Sequence, residues 1–499
     1  MEGKSGRGEV LDHYPHSGTD RLIDSEIAMN YTGKKILVLG MGKTGISMVK
    51  WLSRLGAQLS VADTRTSPPN LELISRIVPD EAIFCGPLKE ELFQGIDAIA
   101  ISPGVAVAEP LVQAALQQGV PVIGDIELFA VALDQYAPPG TKILAITGSN
   151  GKTTVTSMVG EMVKNAGWDV EVAGNIGPAA LDTLMQRMDA NKWPHLWALE
   201  LSSFQLETTS SLRPDAATVL NLSEDHLDRY DSIEEYAAAK ARIFSRPHNN
   251  GCVQILNRDD ARVYAMADKN SKQVTFGLSA PVSDQEFGLL PGGSDVWLAQ
   301  GSTHLLKTSE LAVTGLHNAA NALAALALCR AVDLPFEPLL HALRTFRGLP
   351  HRMQKVAEFN GVTFYDDSKS TNIGSAVAAL NGFRKNVILI AGGDGKGQDF
   401  SPLEQPVSKH VRSVVLLGRD ADKVAQAIQA SNVPIHRVTT MDEAVQVSFL
   451  LAEHGDVVLL SPACASLDMF NNYIHRAEVF TAAVRLIERK FVLTAQTCH

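Results

Sequence analysis

The sequence predicts three successive α/β domains built on mostly parallel sheets. Three observations lead there. The chain has 499 residues, whereas a single hydrophobic core stops growing at about 250 to 300. Short apolar runs alternate with helical patterns along most of its length. Gly-rich or charged turns sit where several of those runs stop, which is where open parallel sheets hold ligands. With 45% hydrophobic and 20% charged residues, the composition is that of a globular chain able to bury its cores.

From Lys34, KKILVLG reads as a strand, GMGKTG (40–45) as a turn, the stretch through Ser53 as a helix, and 58–63 as a second strand. That is a parallel βαβ unit. Apolar runs at 98–102 and 120–123 extend it, so the first domain should be doubly wound. Pro138, Pro139 and Gly140 mark a linker, and KILAITG restarts the alternation after Thr141. HLWALEL (195–201) and AATVLNL (216–222) supply strands of a middle nucleotide-binding core. The polar, Gly-rich segment from Ser279 to Gly301 predicts hairpins and loops at the sheet edge. After ALAALALCRAV and FRGLPHR (346–352), the runs in NGVTFYDDS, NVILIAGG, SVVLLG and DVVLLSP begin a third α/β pattern. The expected domains are 29–138, 139–347 and 348–499. Residues 1–28 carry charge and prolines where a signal peptide needs an apolar run. A disordered leader is expected, His13 and His16 included, with Met29 an alternative start.

Composition also excludes. A formal charge of −11 without a Lys/Arg cluster argues against nucleic acid, and no run of 18 apolar residues argues for membrane insertion. Cys85, Cys252, Cys329, Cys464 and Cys498 form no CxxC pair and no zinc-like spacing, so a reducing cytoplasm is expected.

The strongest local signal is ITGSNGKTT (146–154), between a strand and the helical TVTSMVGEMVKNAG. Backbone N–H groups of such a turn, the positive helix end and a lysine converge on phosphate oxygens, while a hydroxyl reaches magnesium. Lys152 and Thr153 take those roles. A strict P-loop has glycine five residues before Gly151, and Ile146 stands there, so the loop is a shorter variant, unlike those of motor and GTPase families. GMGKTG fits G-x-G-x-x-G, with Asp63 ending the next strand. Alone it predicts NAD; no hydride-transfer constellation follows, and in a chain with a second phosphate loop the turn can hold another nucleotide or only allow close helix packing. Glu200, in LELSSFQLE, is placed to bind a hard cation. By sequence spacing alone His226 is a hydrogen-bonded loop histidine and Lys240 a solvated helix lysine. In the third region YDDSKSTN (365–372), AGGDGKGQDF (391–400) and LLSPACASLDMFNNYIHR (459–476) follow strands, and offer Asp367, Lys369, Lys396 and Ser466 to a binding face.

Together these motifs resemble the Mur ligase family from about Tyr31 to about Lys490. The shared pattern is TGSNGKTT, the histidine and asparagine of GLHNAANALAA and the arginine of LPHR. GDIELF (124–129), LELSSFQLETTSSL, EDHLDRY, YDDSKSTN and SPACASLDMF are similar to its D-glutamate-adding branch. The resemblance implies a Rossmann-like N-terminal domain, a central P-loop ATPase-like domain and a Rossmann-like C-terminal domain. It implies a monomeric, cytoplasmic, ATP-dependent ligase that adds D-glutamate to UDP-N-acetylmuramoyl-L-alanine through an acyl phosphate, with two Mg2+ ions and no NAD. Lys43, Thr44, Asp63, Thr64 and Arg65, with Ser102, Pro103 and Gly104, would surround UDP. Asn175 and His226 would contact the diphosphate and sugar side of the precursor, with Ser202 near Glu200. Gly148, Ser149, Asn150, Gly151, Lys152, Thr153 and Thr154 would hold ATP phosphates, helped by Asn318, Asn321, Arg352, Asp367 and Lys369. Thr371, Lys396, Ser466, Leu467 and Tyr473 would hold D-glutamate. Thr153, Glu200, His226 and a carbamylated Lys240 would serve the metal. Lys152, Glu200, His226 and Lys240 are the implied catalytic set. Two positions depart from the family: Tyr473 replaces a common phenylalanine, and Ala477 follows Arg476 where glycine is usual.

Overall fold

The computed structural model describes residues 31–226, 229–244, 251–313, 315–383 and 386–497. The expected leader, with His13, His16 and Met29, lies outside them, as does Cys498. The described residues form two compact units that meet in sequence at Val131 and Ala132.

The first unit carries five parallel strands, β1 (Lys35–Leu39), β2 (Gln58–Asp63), β3 (Ile83–Cys85), β4 (Ala98–Ile101) and β5 (Val122–Gly124), ordered β3-β2-β1-β4-β5. The order reverses at β1, so the turn after Leu39 sits at the switch point where doubly wound sheets bind ligands. β4 is buried along its whole length, as a parallel strand covered on both faces must be.

In the second unit one sheet has nine strands: β6 (Lys142–Thr147), β7 (Val170–Gly174), β8 (Leu196–Glu200), β9 (Ala216–Val219), β10 (Val253–Asn257), β11 (Lys272–Phe276), β12 (Glu286–Gly292), β13 (Asp295–Gln300) and β14 (Thr303–Lys307). Their order is β14-β13-β12-β11-β10-β9-β6-β8-β7. β6 pairs in parallel with β8 and β9, so the phosphate-loop sequence leaves the sheet between the ends of two neighbours. The segment read as edge hairpins is β12 and β13, an antiparallel pair that β14 extends. The helix Lys152–Asn165 presses Val155, Met158, Val159 and Met162 into a core shared with the helix Leu316–Ala331. The latter buries Ala319 and every residue from Ala322 to Cys329, consistent with an apolar pattern all round rather than on one stripe.

A third sheet holds β15 (Gln354–Phe359), β16 (Val362–Asp366), β17 (Val387–Ala391), β18 (Val411–Leu416), β19 (Ile435–Arg437) and β20 (Val457–Leu460), ordered β15-β16-β20-β17-β18-β19. Only β15 runs antiparallel to its neighbour. β16, β17 and β20 lie side by side, so the three polar loops that follow them open at one end of the sheet. Sequence reading named the long apolar strands and missed β3, β7, β15 and β19, which are short or partly exposed at sheet edges, and also β10, β11 and β14, five-residue strands whose apolar runs are broken by polar residues such as Gln254, Gln273 and His304.

Candidate active site

The turn after β6 is shaped by two glycines. Gly151 has φ +83, and a side chain there would press on Asn321 Oδ1; Gly148 has φ +146 and packs against Leu220. Both conformations favour glycine. Helix Lys152–Asn165 then starts with no side-chain cap, which leaves its first N–H groups directed at the loop. Lys152 folds back: its Nζ donates to the carbonyls of Gly148 at 2.8 Å and Ser149 at 2.9 Å. Asn221 braces the loop by accepting the Asn150 N–H at 2.8 Å.

Glu200 ends β8 only 2% exposed. Its Oε1 accepts from Asn175 Nδ2 at 2.7 Å, while its buried Oε2 has no partner among the described residues. A buried carboxylate oxygen left unpaired is costly unless a cation or donor completes it. His226, at φ +58, stands edge-on to Phe204 with ring centroids 4.9 Å apart. Burial lowers its pKa against the opposing charge of Asp225, so its imidazole is neutral at pH 7 and able to ligate.

Lys240 overturns its reading as a solvated lysine. It is 1% exposed, because its helix Ile233–Ala241 turns that face inward after the Ser232 cap. Its Nζ donates to the Gly148 carbonyl at 3.0 Å and lies 4.4 Å from the centre of the Tyr236 ring. Burial, reinforced by Lys152, drives its pKa well below the ordinary lysine range. Burial also lowers that of Lys152, opposed by Glu200.

The third sheet supplies the facing wall. Arg352 Nη2 donates to Thr153 Oγ1 at 2.7 Å. Lys396 Nζ reaches Asp225 Oδ1 at 2.6 Å. Burial alone would raise the Asp225 pKa, yet Lys396, His226 and Asn372 together hold it below its usual value. Burial lowers Lys369 to about 8, and its Nζ sits 3.9 Å over the Tyr473 ring. Asp367, raised to about 7 by burial, accepts from Ser461 Oγ at 2.8 Å.

A cavity of about 700 Å³ gathers Ser149 to Thr153, Asn175, Glu200, Ser202, His226, Lys240, Arg352, Lys369, Thr371, Lys396 and Tyr473. A neighbouring cavity of about 340 Å³ collects Thr154, Asn318, Asn321 and Asp367, and shares Asn150, Gly151, Arg352 and Lys369 with the first. Buried Ser466 and 72%-exposed Leu467 lie outside both linings. Among the described residues no group of three His, Cys, Asp or Glu side chains is gathered for a metal. Glu200 and His226, with the Thr153 hydroxyl lining the same cavity, nevertheless suit magnesium, which takes much of its shell from water and phosphate. Sequence reasoning did not single out Asp225, Asn372 and Tyr236, which line the same cavity. Asp225 is next to His226, and Asn372 ends YDDSKSTN, but nothing in their spacing reveals which way they point.

In the first unit, Asp63 is buried and saturated. Its Oδ2 accepts the Met41 N–H at 2.7 Å and Arg65 Nη2 at 2.6 Å, and its Oδ1 accepts Arg65 N and Nε at 2.9 and 2.8 Å. The Arg65 side chain, with these backbone donors, holds it down to about 2. Ser102 Oγ donates to the Gly40 carbonyl at 3.2 Å, bringing the loop of Ser102, Pro103 and Gly104 against the turn. Lys43 and Thr44 start the helix Lys43–Arg54, and Thr64 follows β2, with Lys43, Thr64 and Arg65 exposed.

Three family models match: the MurD-like N-terminal domain of Mur ligases over residues 34–124, the Mur ligase middle domain over 146–329, and the Mur ligase glutamate ligase domain over 351–464. The UDP-N-acetylmuramoylalanine–D-glutamate ligase of Nitrosomonas europaea is 99% identical over 471 residues, 94% of this chain and 100% of that one. Its counterpart from Nitrosomonas eutropha is 84% identical over the same shares, and that of Nitrosospira multiformis 60% identical over 92% of this chain and 97% of its own. Solved structures share the fold. MurF of Acinetobacter baumannii superimposes with a TM-score of 0.57 at 19% identity, covering 93% of this chain and 92% of its own. UDP-N-acetylmuramate-alanine ligase MurC of Thermotoga maritima does so at 0.55 and 19%, covering 90% and 99%.

Proposed function

We infer that this chain, which belongs to the Mur ligase family, is an ATP-dependent amide-forming ligase that adds D-glutamate to UDP-N-acetylmuramoyl-L-alanine in peptidoglycan precursor synthesis. The observation that carries the chemistry is the single 700 Å³ cavity where a phosphate loop, an unpaired buried carboxylate oxygen and the cations of a second sheet meet.

A carboxylate resists attack by an amine at neutral pH. Transfer of the γ-phosphoryl group of ATP to the L-alanine carboxylate gives an acyl phosphate and ADP. The D-glutamate amine then adds to the carbonyl carbon, and the tetrahedral intermediate collapses with loss of phosphate. In this reading the loop N–H groups, Lys152 and Arg352 hold the phosphate oxygens and offset charge as it builds there. Gly148, Ser149, Asn150, Gly151, Thr153, Thr154, Asn318, Asn321, Asp367 and Lys369 complete the ATP site. Thr153, Glu200, His226 and Lys240 would hold Mg2+, which when bound neutralises phosphate charge. The low pKa of Lys240 favours the free amine that carbamylation requires, and a carbamate would turn that buried amine into an anion beside the metal. Asn175 and His226 would contact the diphosphate and sugar side of the precursor, with Ser202 near Glu200. Thr371, Lys396 and Tyr473 would receive D-glutamate, with Ser466 and Leu467 contributing from the loop after β20. In the first unit Lys43, Thr44, Asp63, Thr64, Arg65, Ser102, Pro103 and Gly104 would hold UDP. Domain bounds of 29–138, 139–347 and 348–499 are part of the proposal, supported by one sheet falling within each. A cytoplasmic monomer is part of the same proposal; among the described residues no helix is long and apolar enough to cross a membrane.

The test is orthophosphate release from ATP and the UDP-linked precursor, with D-glutamate, L-alanine, L-lysine or meso-diaminopimelate as acceptor. D-Glutamate alone should support turnover. Release with another amino acid and none with D-glutamate would overturn the assignment.

A further inference from the structure

Asn372 stands where three parts of the catalytic cavity meet. It caps the helix Ile373–Asn381, its Oδ1 accepting the Ser375 N–H at 2.9 Å. Capping uses only that oxygen. The amide nitrogen serves something else: Nδ2 donates to Asn150 Oδ1 in the phosphate loop at 3.0 Å and to Asp225 Oδ2 at 3.1 Å.

Both contacts continue. Asn150 Nδ2 donates to Ser223 Oγ at 3.1 Å, which builds Asn150 into the loop support. The second oxygen of Asp225 takes Lys396 Nζ. Asn372 and Asp225 are 3% and 6% exposed, so water competes little for these bonds and each constrains the next. A continuous chain therefore runs from Asn150 through Asn372 and Asp225 to Lys396.

We propose that Asn372, acting with Asp225, is a positioning relay that couples nucleoside triphosphate binding at the phosphate loop to dicarboxylate binding at Lys396. Phosphate entering the loop orients Asn150. Asn150 fixes the Asn372 amide, and Asp225 then holds the Lys396 ammonium in the direction that receives a carboxylate. The relay rests on the functional reading above and adds to it the route by which two substrates sense each other. Coupling of this kind is a free energy shared by two sites, and it must work in both directions.

The test compares D-glutamate affinity by calorimetry with and without saturating magnesium and a non-hydrolysable ATP analogue, the UDP-linked precursor being present throughout. In the unaltered protein the nucleotide should tighten D-glutamate by at least about fivefold. Asn372→Ser keeps a capping hydroxyl but is too short to reach Asn150 and Asp225, and should bring that ratio to within about twofold of unity. Asn372→Asp, also a good cap, exchanges the donor for an acceptor and should do the same, with both variants melting within a few degrees of the parent. Adding Asp225→Ala to Asn372→Ser should remove no further coupling, since both act through one path. A ratio unchanged in the serine and aspartate variants, or two affinities weakened equally with the ratio kept, would assign Asn372 a merely structural role and overturn the relay. Parent protein that binds neither ligand would sink the functional reading and the relay with it; parent protein that binds both without coupling would sink the relay alone.

Discussion

Two glycine-rich turns follow two parallel strands in this chain, residues 40–45 after β1 and residues 148–154 after β6, and they leave opposite electrostatic surroundings. Beside the first, Asp63 has each oxygen doubly occupied by the Met41 amide and Arg65. Its charge is already answered inside the protein. Beside the second, Glu200 keeps a buried oxygen without a partner among the described residues, and the side-chain nitrogens of two buried lysines converge on the Gly148 carbonyl. That site is incomplete by itself. The backbone device is similar in both; what differs is how much charge the neighbouring side chains leave unbalanced, and unbalanced charge marks where chemistry is prepared.

The contrast breaks most visibly in turnover. Lys152→Ala and Glu200→Gln should each lower phosphate release by about a thousandfold, the scale of losing one preorganised electrostatic group, while circular dichroism shows the fold retained. Near-normal turnover in either variant would remove that residue from the mechanism and weaken the claim that the second turn is the reactive one.

A smaller effect separates packing from ligand approach within the first turn. A Cβ on Gly45 would collide with the Gly40 carbonyl oxygen, whereas one on Gly42 would meet open space. Gly45→Ala should cost about 2 kcal/mol or more in denaturant unfolding, and Gly42→Ala under about 0.5 kcal/mol. Weaker precursor binding in Gly42→Ala at unchanged stability would mean that its glycine serves the ligand. Equal destabilisation would erase the distinction.

The mildest effect is in the pH dependence of stability. Asp367 has a folded pKa raised from 3.8 to about 7, so the native state binds the extra proton and stability falls as pH rises through that window. Asp63 is shifted the other way, to about 2; its contribution is present above the unfolded value and is lost as pH falls towards the folded one. Denaturant midpoints measured between about pH 4 and 7 should therefore lose part of their decline in Asp367→Asn and keep it in Asp63→Asn. An unchanged slope in the Asp367 variant would show that its carboxyl is not held protonated.

What the sequence determined by itself was local and periodic. The apolar runs of β1, β6, β8, β16, β17 and β20 announce buried parallel strands, and TGSNGKTT dictates a phosphate-binding turn because glycine conformations, helix start and lysine lie within a few residues of one another. Tertiary structure decided whatever depends on direction. Helical spacing reads Lys240 as a surface lysine, yet the packing of its helix against the phosphate loop buries it beside Lys152. The same holds for Asp225 and Asn372, 147 residues apart and in hydrogen-bond contact. Whether a polar side chain faces water or a partner is set by which elements meet across the sheet ends, and that long-range geometry has no local periodicity to record it.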